Sequence, residues 1–235
     1  MSEKLLLGVP SKGRLMEETA KVFAQAGVQI SKTGSERGYR GELIGVEDVE
    51  VSFISAAEIA NALKNGRIHL GVTGEDLVRE EIINVDETVV FLEKLGFGYA
   101  DVVVAVPDCW VDVRRMRDLA AAAQIYRHYN RRPMRIATKY MNLVRSHFTR
   151  HGISDYRIIE SLGATEGTPA TGKADLIVDI TSTGATLKAN GLRILDGDDG
   201  IILKSEANLM ASKTVNWTPA TRAIENEILS RFDLG

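Results

Sequence analysis

Short apolar runs alternate with longer amphipathic stretches along the whole chain, and no other feature constrains its folding as much. Residues 5–9, 49–54, 68–72, 101–106, 135–138, 156–160 and 174–180 have the length and composition of strands. Between them, apolar side chains recur at helical spacing: Leu15, Val22, Phe23 and Ala26 repeat in this way until Gly27 ends the pattern. Further helices are predicted over 56–65, 75–81, 113–123, 140–150 and 219–232, and further strands over 88–95 and 200–205. Strands joined by crossover helices make an α/β fold. The pattern restarts near Tyr99, so two lobes are expected, 1–97 with 201–235 and 98–200, with a ligand cleft between them.

Composition narrows the function. At 235 residues and 44% hydrophobic content the chain has material for one large or two small domains. The most apolar run, 102–106, is bounded by Asp101 and Pro107 and is far short of the roughly 20 residues of a membrane span. Residues 1–7 lack the basic start and long apolar core of a leader, so a cytoplasmic protein is expected. The single cysteine, Cys109, cannot form an internal disulfide, and it reads as a buried or semi-buried small residue. The four histidines show no metal-ligand spacing, which argues against structural zinc. With a net charge of −3 the chain has no global field for nucleic acid, so an anionic ligand must be held locally.

Three strand-to-helix turns could do so. In Ala174-Asp-Leu-Ile-Val-Asp-Ile180, followed by Thr181-Ser-Thr-Gly-Ala-Thr186, an apolar strand ends in a carboxylate, and hydroxyls and a glycine open a helix. Backbone N–H groups, the hydroxyls of Ser182, Thr183 and Thr186, and a helix dipole there suit a phosphate. Asp179, at the strand's carboxyl end, is placed to accept hydrogen bonds from sugar hydroxyls. The second turn, Pro10-Ser11-Lys12-Gly13-Arg14, puts two cations at a helix start, where they oppose the dipole unless an anion binds. In the third, Gly71-Val-Thr-Gly-Glu-Asp76, Asp76 reads as an ordinary first-turn helix residue. Arg37, Tyr39 and Arg40 lie between Gly34, Gly38 and Gly41 and read as a mobile basic loop. Arg135, Lys139, Tyr140 and Arg145 form a further basic cluster, for which solvation is the simpler reading. Trp110 and Trp217 read as packing groups.

Glu166, Gly172, Ala174, Ile177, Asp179, Ile180, Thr183, Gly184, Thr186 and Leu187 fall at the spacing of the motif that marks the ATP phosphoribosyltransferases, the family that opens histidine biosynthesis. The resemblance extends through the Ser11–Arg14 turn, the Gly71–Leu77 turn and Arg135 to Tyr140, in the family's order and over nearly the whole chain. Where long-form relatives often carry Tyr-Pro, this chain has Tyr140-Met141.

The resemblance implies a two-lobed α/β fold like that of the type II periplasmic binding proteins. It implies the short form, without a C-terminal regulatory domain, and a separate regulatory subunit similar to a histidyl-tRNA synthetase catalytic domain, in a homo- and hetero-oligomer. The implied reaction joins N1 of the ATP adenine to C1 of phosphoribosyl pyrophosphate and releases pyrophosphate carrying Mg²⁺. Asp179, Thr181, Ser182, Thr183, Gly184, Ala185, Thr186 and Glu166 would then bind phosphoribosyl pyrophosphate, while Ser11, Gly13, Gly74 and Asp76 would bind ATP. Lys12, Arg14 and one of Arg37 or Arg40 would hold the leaving pyrophosphate. Two rival readings are a solute-binding protein without catalysis and a nucleobase-salvage phosphoribosyltransferase. The salvage loop has two adjacent acidic residues before its Thr-Gly-x-Thr stretch, whereas here Asp179 is followed by Ile180 and Thr181.

Overall fold

A computed structural model describes residues 4–33 and 39–232. They divide into two compact units, Met1–Gly98 with Glu206–Gly235, and Tyr99–Ser205.

The first unit begins with β1 (Leu5–Pro10) and α1 (Gly13–Gln25), then β2 (Gln29–Lys32), β3 (Arg40–Ile44), β4 (Val49–Ile54) and α2 (Ala56–Lys64). β5 (Leu70–Gly74), α3 (Glu75–Glu81), α4 (Val85–Thr88) and β6 (Val89–Lys94) follow. The second unit runs through β7 (Ala100–Pro107), α5 (Met116–Asn130), β8 (Met134–Thr138), α6 (Met141–Arg150), β9 (Tyr156–Glu160), β10 (Leu176–Thr181), α7 (Ala185–Ala189), β11 (Leu192–Ile194) and β12 (Ile201–Ser205). The chain then returns to the first unit as β13 (Ala207–Ser212) and α8 (Pro219–Phe232).

In the first unit seven strands lie in the order β2-β3-β4-β1-β5-β13-β6, with β4, β1 and β5 parallel. Alternation along β1 explains its packing. Leu5, Leu7 and Val9 join Phe23 of α1 and Ile228 of α8 on one face, while Leu6 turns to Ile59 and Leu63 of α2 on the other. Gly8 and Gly71 are paired across β1 and β5, and a Cβ at either would come within 2.7 Å of a side-chain carbon of Ile68 or Ile59. Glycine therefore lets α2 sit close against the sheet. α2 starts with a capping box, in which Ser55 N–H donates to Glu58 at 2.8 Å and Glu58 N–H to Ser55 Oγ at 3.3 Å.

In the second unit the sheet order is β11-β7-β10-β8-β9, with β12 also on β7. β10, β8 and β9 are parallel, and β7 runs antiparallel to β10. Met116, Leu119 and Ala123 of α5, with Val144 and Phe148 of α6, cover Val104, Ile136 and Val178.

Three expectations need correction here. Ile201–Ser205 was expected to return to the first lobe, but it pairs antiparallel with β7, Leu203 opposite Val102 and Ser205 opposite Ala100, and belongs to the second unit. The strand that does enter the first sheet is β13, where buried Asn208 and Ser212 hide the apolar pattern of a strand. Arg40 lies on β3, paired with Ser52 of β4, and not in a loop. Arg37, with Gly34 and Gly38, lies outside the described residues. Cys109 is exposed, because it sits in the turn just after β7 ends at Pro107.

Candidate functional site

Open α/β sheets present ligand groups at the carboxyl ends of their parallel strands, where the loops into the following helices gather. Each unit has one such edge.

In the second unit the edge is formed by the ends of β8, β9 and β10. Asp179 is half-buried near the end of β10 and accepts a hydrogen bond from the Ile180 amide at 2.8 Å. Burial pushes its carboxyl above the ordinary range; the Ile180 amide and the Lys139 charge oppose that rise, and the Glu166 carboxylate adds to it. Glu166 stands on a single 3-10 turn, Thr165–Gly167, after β9. That loop is tied back by Ser161 N–H donating to the Thr138 carbonyl at 3.0 Å and by Thr165 Oγ1 donating to Ser161 Oγ at 3.0 Å. Two carboxylates therefore share this edge without a cation in hydrogen-bond contact with Asp179 among the described residues. A ligand bringing hydroxyl donors would relieve the cost of the half-buried charge.

After β10 the chain turns through Ser182, Thr183 and Gly184. Gly184 has φ +72°, and a Cβ there would meet only Ile194 Cδ1 at 3.9 Å, so the backbone conformation rather than space calls for glycine. The turn is internally braced. Thr181 Oγ1 accepts from Gly184 N–H at 2.9 Å, Thr183 Oγ1 from Ala185 N–H at 3.3 Å, and Ser182 Oγ donates to the Tyr99 carbonyl at 3.1 Å.

This bracing changes the expected cradle. The Gly184 amide and the Ser182 hydroxyl proton are already engaged, and α7, at five residues, is too short to supply a full helix dipole. The amides of Thr186 and Leu187, in the first turn of α7, have no acceptor among the described residues, and the Thr183 and Thr186 side chains are exposed beside them.

In the first unit the ends of β1, β4 and β5 are adjacent, since Pro10 pairs with Ile54 and the β1–β5 register carries Gly74 level with Ser11. Ser11 is fixed by its N–H donating to the Ile54 carbonyl at 2.9 Å. α1 then opens on extended Lys12 with no side-chain cap and no acidic residue in its first turn. Lys12 and Arg14 are exposed and enter no ion pair among the described residues. Lys12 and Arg14 thus stand at the start of an uncapped 13-residue helix, where the side-chain charges and the helix dipole have the same positive sign.

Arg40 is exposed and only loosely paired, 3.7 Å from Glu50. Gly74 caps α3, and Asp76 is buried in that helix's first turn. Glu75 beside it pairs with Arg79 at 2.6 Å.

The basic cluster at 135–145 separates into unlike parts. Arg135 and Arg132 enclose Asp175, Arg145 reaches Asn142 at 3.1 Å, and Tyr140 is fully buried. Lys139 lies on the edge that carries Asp179. Its spacing from its neighbours shows no functional periodicity, so only the strand register singles it out.

A family model described as ATP phosphoribosyltransferase matches residues 55–233. Among curated relatives, an ATP phosphoribosyltransferase of Bradyrhizobium diazoefficiens is 57% identical over 232 residues, covering 99% of this chain and 71% of the relative. Among solved structures, the ATP phosphoribosyl transferase (HisG:HisZ) complex from Thermotoga maritima superposes with a TM-score of 0.73 at 24% identity, covering 98% of this chain and 96% of that one. The arginine-bound form of truncated ArgBP from Thermotoga maritima superposes with a TM-score of 0.52 at 11% identity, covering 99% and 94%. These two structural likenesses identify the fold class, the α/β architecture that such type II binding proteins share.

Proposed function

The chain belongs to the ATP phosphoribosyltransferase family, and from that membership we propose how its residues carry the reaction that joins N1 of the ATP adenine to C1 of phosphoribosyl pyrophosphate. The products are N1-(5-phosphoribosyl)-ATP and pyrophosphate, the first step of histidine biosynthesis. Adenine N1 attacks with its own lone pair, so no general base is needed, and displacement inverts the anomeric carbon. Catalysis then rests on positioning two bound substrates and on stabilising the charge of the leaving group.

The observation that carries this reading is the pairing, within one unit, of two under-donated carboxylates with a braced anion turn four residues further on. Asp179 and Glu166 accept the ribose hydroxyls. The 5-phosphate binds the Thr186 and Leu187 amides and the Thr183 and Thr186 hydroxyls, while Thr181, Ser182, Gly184 and Ala185 hold the turn in shape. In the first unit Lys12 and Arg14, with Arg40 or Arg37, take pyrophosphate, and their attraction grows as negative charge develops on it. Ser11, Gly13, Gly74 and Asp76 frame the ATP subsite; buried Asp76 would act by shaping the end of β5 rather than by reaching out. Mg²⁺ travels on the phosphates. Among the described residues no three His, Cys, Asp or Glu side chains gather to hold a metal.

We place the enzyme in the cytoplasm, in a homo- and hetero-oligomer with a regulatory subunit resembling a histidyl-tRNA synthetase catalytic domain. Among the described residues no helix is long and apolar enough to cross a membrane, and the Thermotoga maritima relative is a HisG:HisZ complex. The test is formation of the ATP adduct from ATP and phosphoribosyl pyrophosphate with Mg²⁺ by the purified chain, with free nucleobases as competitors and with and without a candidate partner subunit. Adduct formed only from ATP supports the reading; turnover of free bases instead would replace it with the salvage reaction.

A further inference from the structure

Lys139 is the residue immediately after β8, and β8 lies parallel to β10 with Ile136 opposite Leu176 and Ala137 opposite Ile177. Two residues further along both strands, Lys139 comes level with Asp179. It is half-buried, its ammonium stands 4.8 Å from the centroid of the buried Tyr140 ring, and it enters no ion pair among the described residues. α6 begins two residues later without an acidic residue in its first turn. The edge thus holds two carboxylates, an anion turn and one lysine whose charge none of them neutralises by contact.

We propose that Lys139 is a further catalytic cation, which binds the pyrophosphate on C1 of the phosphoribosyl donor and stabilises it as it departs; this rests on the phosphoribosyl transfer read above. With the 5-phosphate on the α7 turn and the ribose hydroxyls on Asp179 and Glu166, the carbon next to the hydroxyl-bearing C2 is C1. A long ammonium stem rising beside Asp179 is the group of the second unit suited to reach its substituent. In the transfer the N1 lone pair forms the N1–C1 bond, the C1–O bond breaks, and its electron pair leaves with pyrophosphate. No proton changes hands in the step.

The experiment compares Lys139→Met and Lys139→Arg with the parent enzyme in saturating Mg²⁺, after circular dichroism shows each is folded. It reads kcat, KM for each substrate and product inhibition by pyrophosphate. Lys139→Met is expected to lose kcat on the order of a hundredfold and to weaken pyrophosphate inhibition about tenfold, with KM for ATP little changed, and Lys139→Arg to recover most of both. Unchanged pyrophosphate inhibition in folded Lys139→Met overturns the proposal. That includes the case in which only the pH profile of KM for phosphoribosyl pyrophosphate moves, since Lys139 would then merely balance Asp179. Should Lys139→Met fail to fold, Lys139→Gln is judged by the same inhibition measurement. A parent that makes no adduct at all counts against the transfer reading itself, whereas a productive parent with an indifferent Lys139→Met counts against Lys139 alone.

Discussion

One carboxylate stands near each end of β10, and the two have opposite surroundings. Asp175, just before the strand, accepts from Arg132 at 2.6 and 2.9 Å, from the Arg135 amide at 2.7 Å and from Tyr126 at 2.8 Å. Burial alone would raise its pKa, but the Arg132 and Arg135 guanidiniums and these hydrogen bonds together hold the carboxyl far below the usual range. Asp179 has its own neighbouring amide and, among the described residues, no cation in contact, and burial raises it. Saturation marks Asp175 as part of the framework, which ties α5 and the start of β8 to β10. Shortage of donors among the described residues leaves Asp179 with the capacity to accept the ribose hydroxyls proposed above. The distinction is one of supply, since both residues are aspartates flanking the same buried run.

The sharpest way to break this comparison is to neutralise each carboxylate in turn. Asp179→Asn should lower kcat/KM for phosphoribosyl pyrophosphate on the order of a hundredfold or more through lost charge-assisted hydrogen bonds, without lowering the urea midpoint. An equal loss of stability in this variant would make Asp179 structural.

Acid should separate the two as well. Burial pushes His147 down to about 4 while its Nε2–H donates to the Asp199 carbonyl at 2.8 Å. All variants therefore share a background loss of stability as pH falls from about 6.5 toward 4, at no more than about 1.4 kcal/mol per pH unit. Asp175, with a depressed folded pKa, contributes stability at pH values above the ordinary carboxylate range and loses it as pH falls below that range. Asp179, with a raised folded pKa, contributes only at low pH and loses that contribution as pH rises through its folded value. Urea denaturation of the parent and both Asn variants across pH 3 to 7 checks whether the two difference curves slope in opposite directions.

Asp175→Asn at neutral pH should cost about 2 kcal/mol, below the cost of breaking a fully buried pair because both guanidiniums reach water, with activity per folded enzyme retained. Thr186→Ala should weaken phosphoribosyl pyrophosphate binding roughly tenfold by calorimetric titration and ATP binding less. Gly184→Ala should cost about 1 kcal/mol in stability through its left-handed backbone, read from the same denaturation curves. Phosphoribosyl pyrophosphate affinity undiminished in both of these variants would place the phosphate away from the α7 turn.

Several residues of the proposed site stand out in the sequence. Asp179 at the end of an apolar run and the Ser-Thr-Gly-x-Thr turn after it are local features, as are Lys12 and Arg14 at a helix start with nothing to cap it. Which groups of the turn are free was not legible, because Ser182 is occupied by the Tyr99 carbonyl, 83 residues away in sequence. Lys139 was hidden for the same reason, since its neighbour Asp179 is 40 residues distant and meets it only through the β8–β10 register.

By itself, the sequence determined what depends on a few consecutive residues: the apolar runs of β1, β4, β5, β7 and β10, the glycines and caps that bound their helices, and the residue types in each strand-end turn. Tertiary structure alone decided the partners. β12 pairs with β7, and β13, with buried Asn208 and Ser212, enters between β5 and β6, where Ala207 faces Gly74 and Ser212 faces Val89. Such a strand is stabilised by backbone pairing on both sides and by specific acceptors, as when Ser212 Oγ donates to the Leu63 carbonyl at 2.7 Å. Its own side chains carry little of that information, because the strands it pairs with lie more than a hundred residues earlier in the chain.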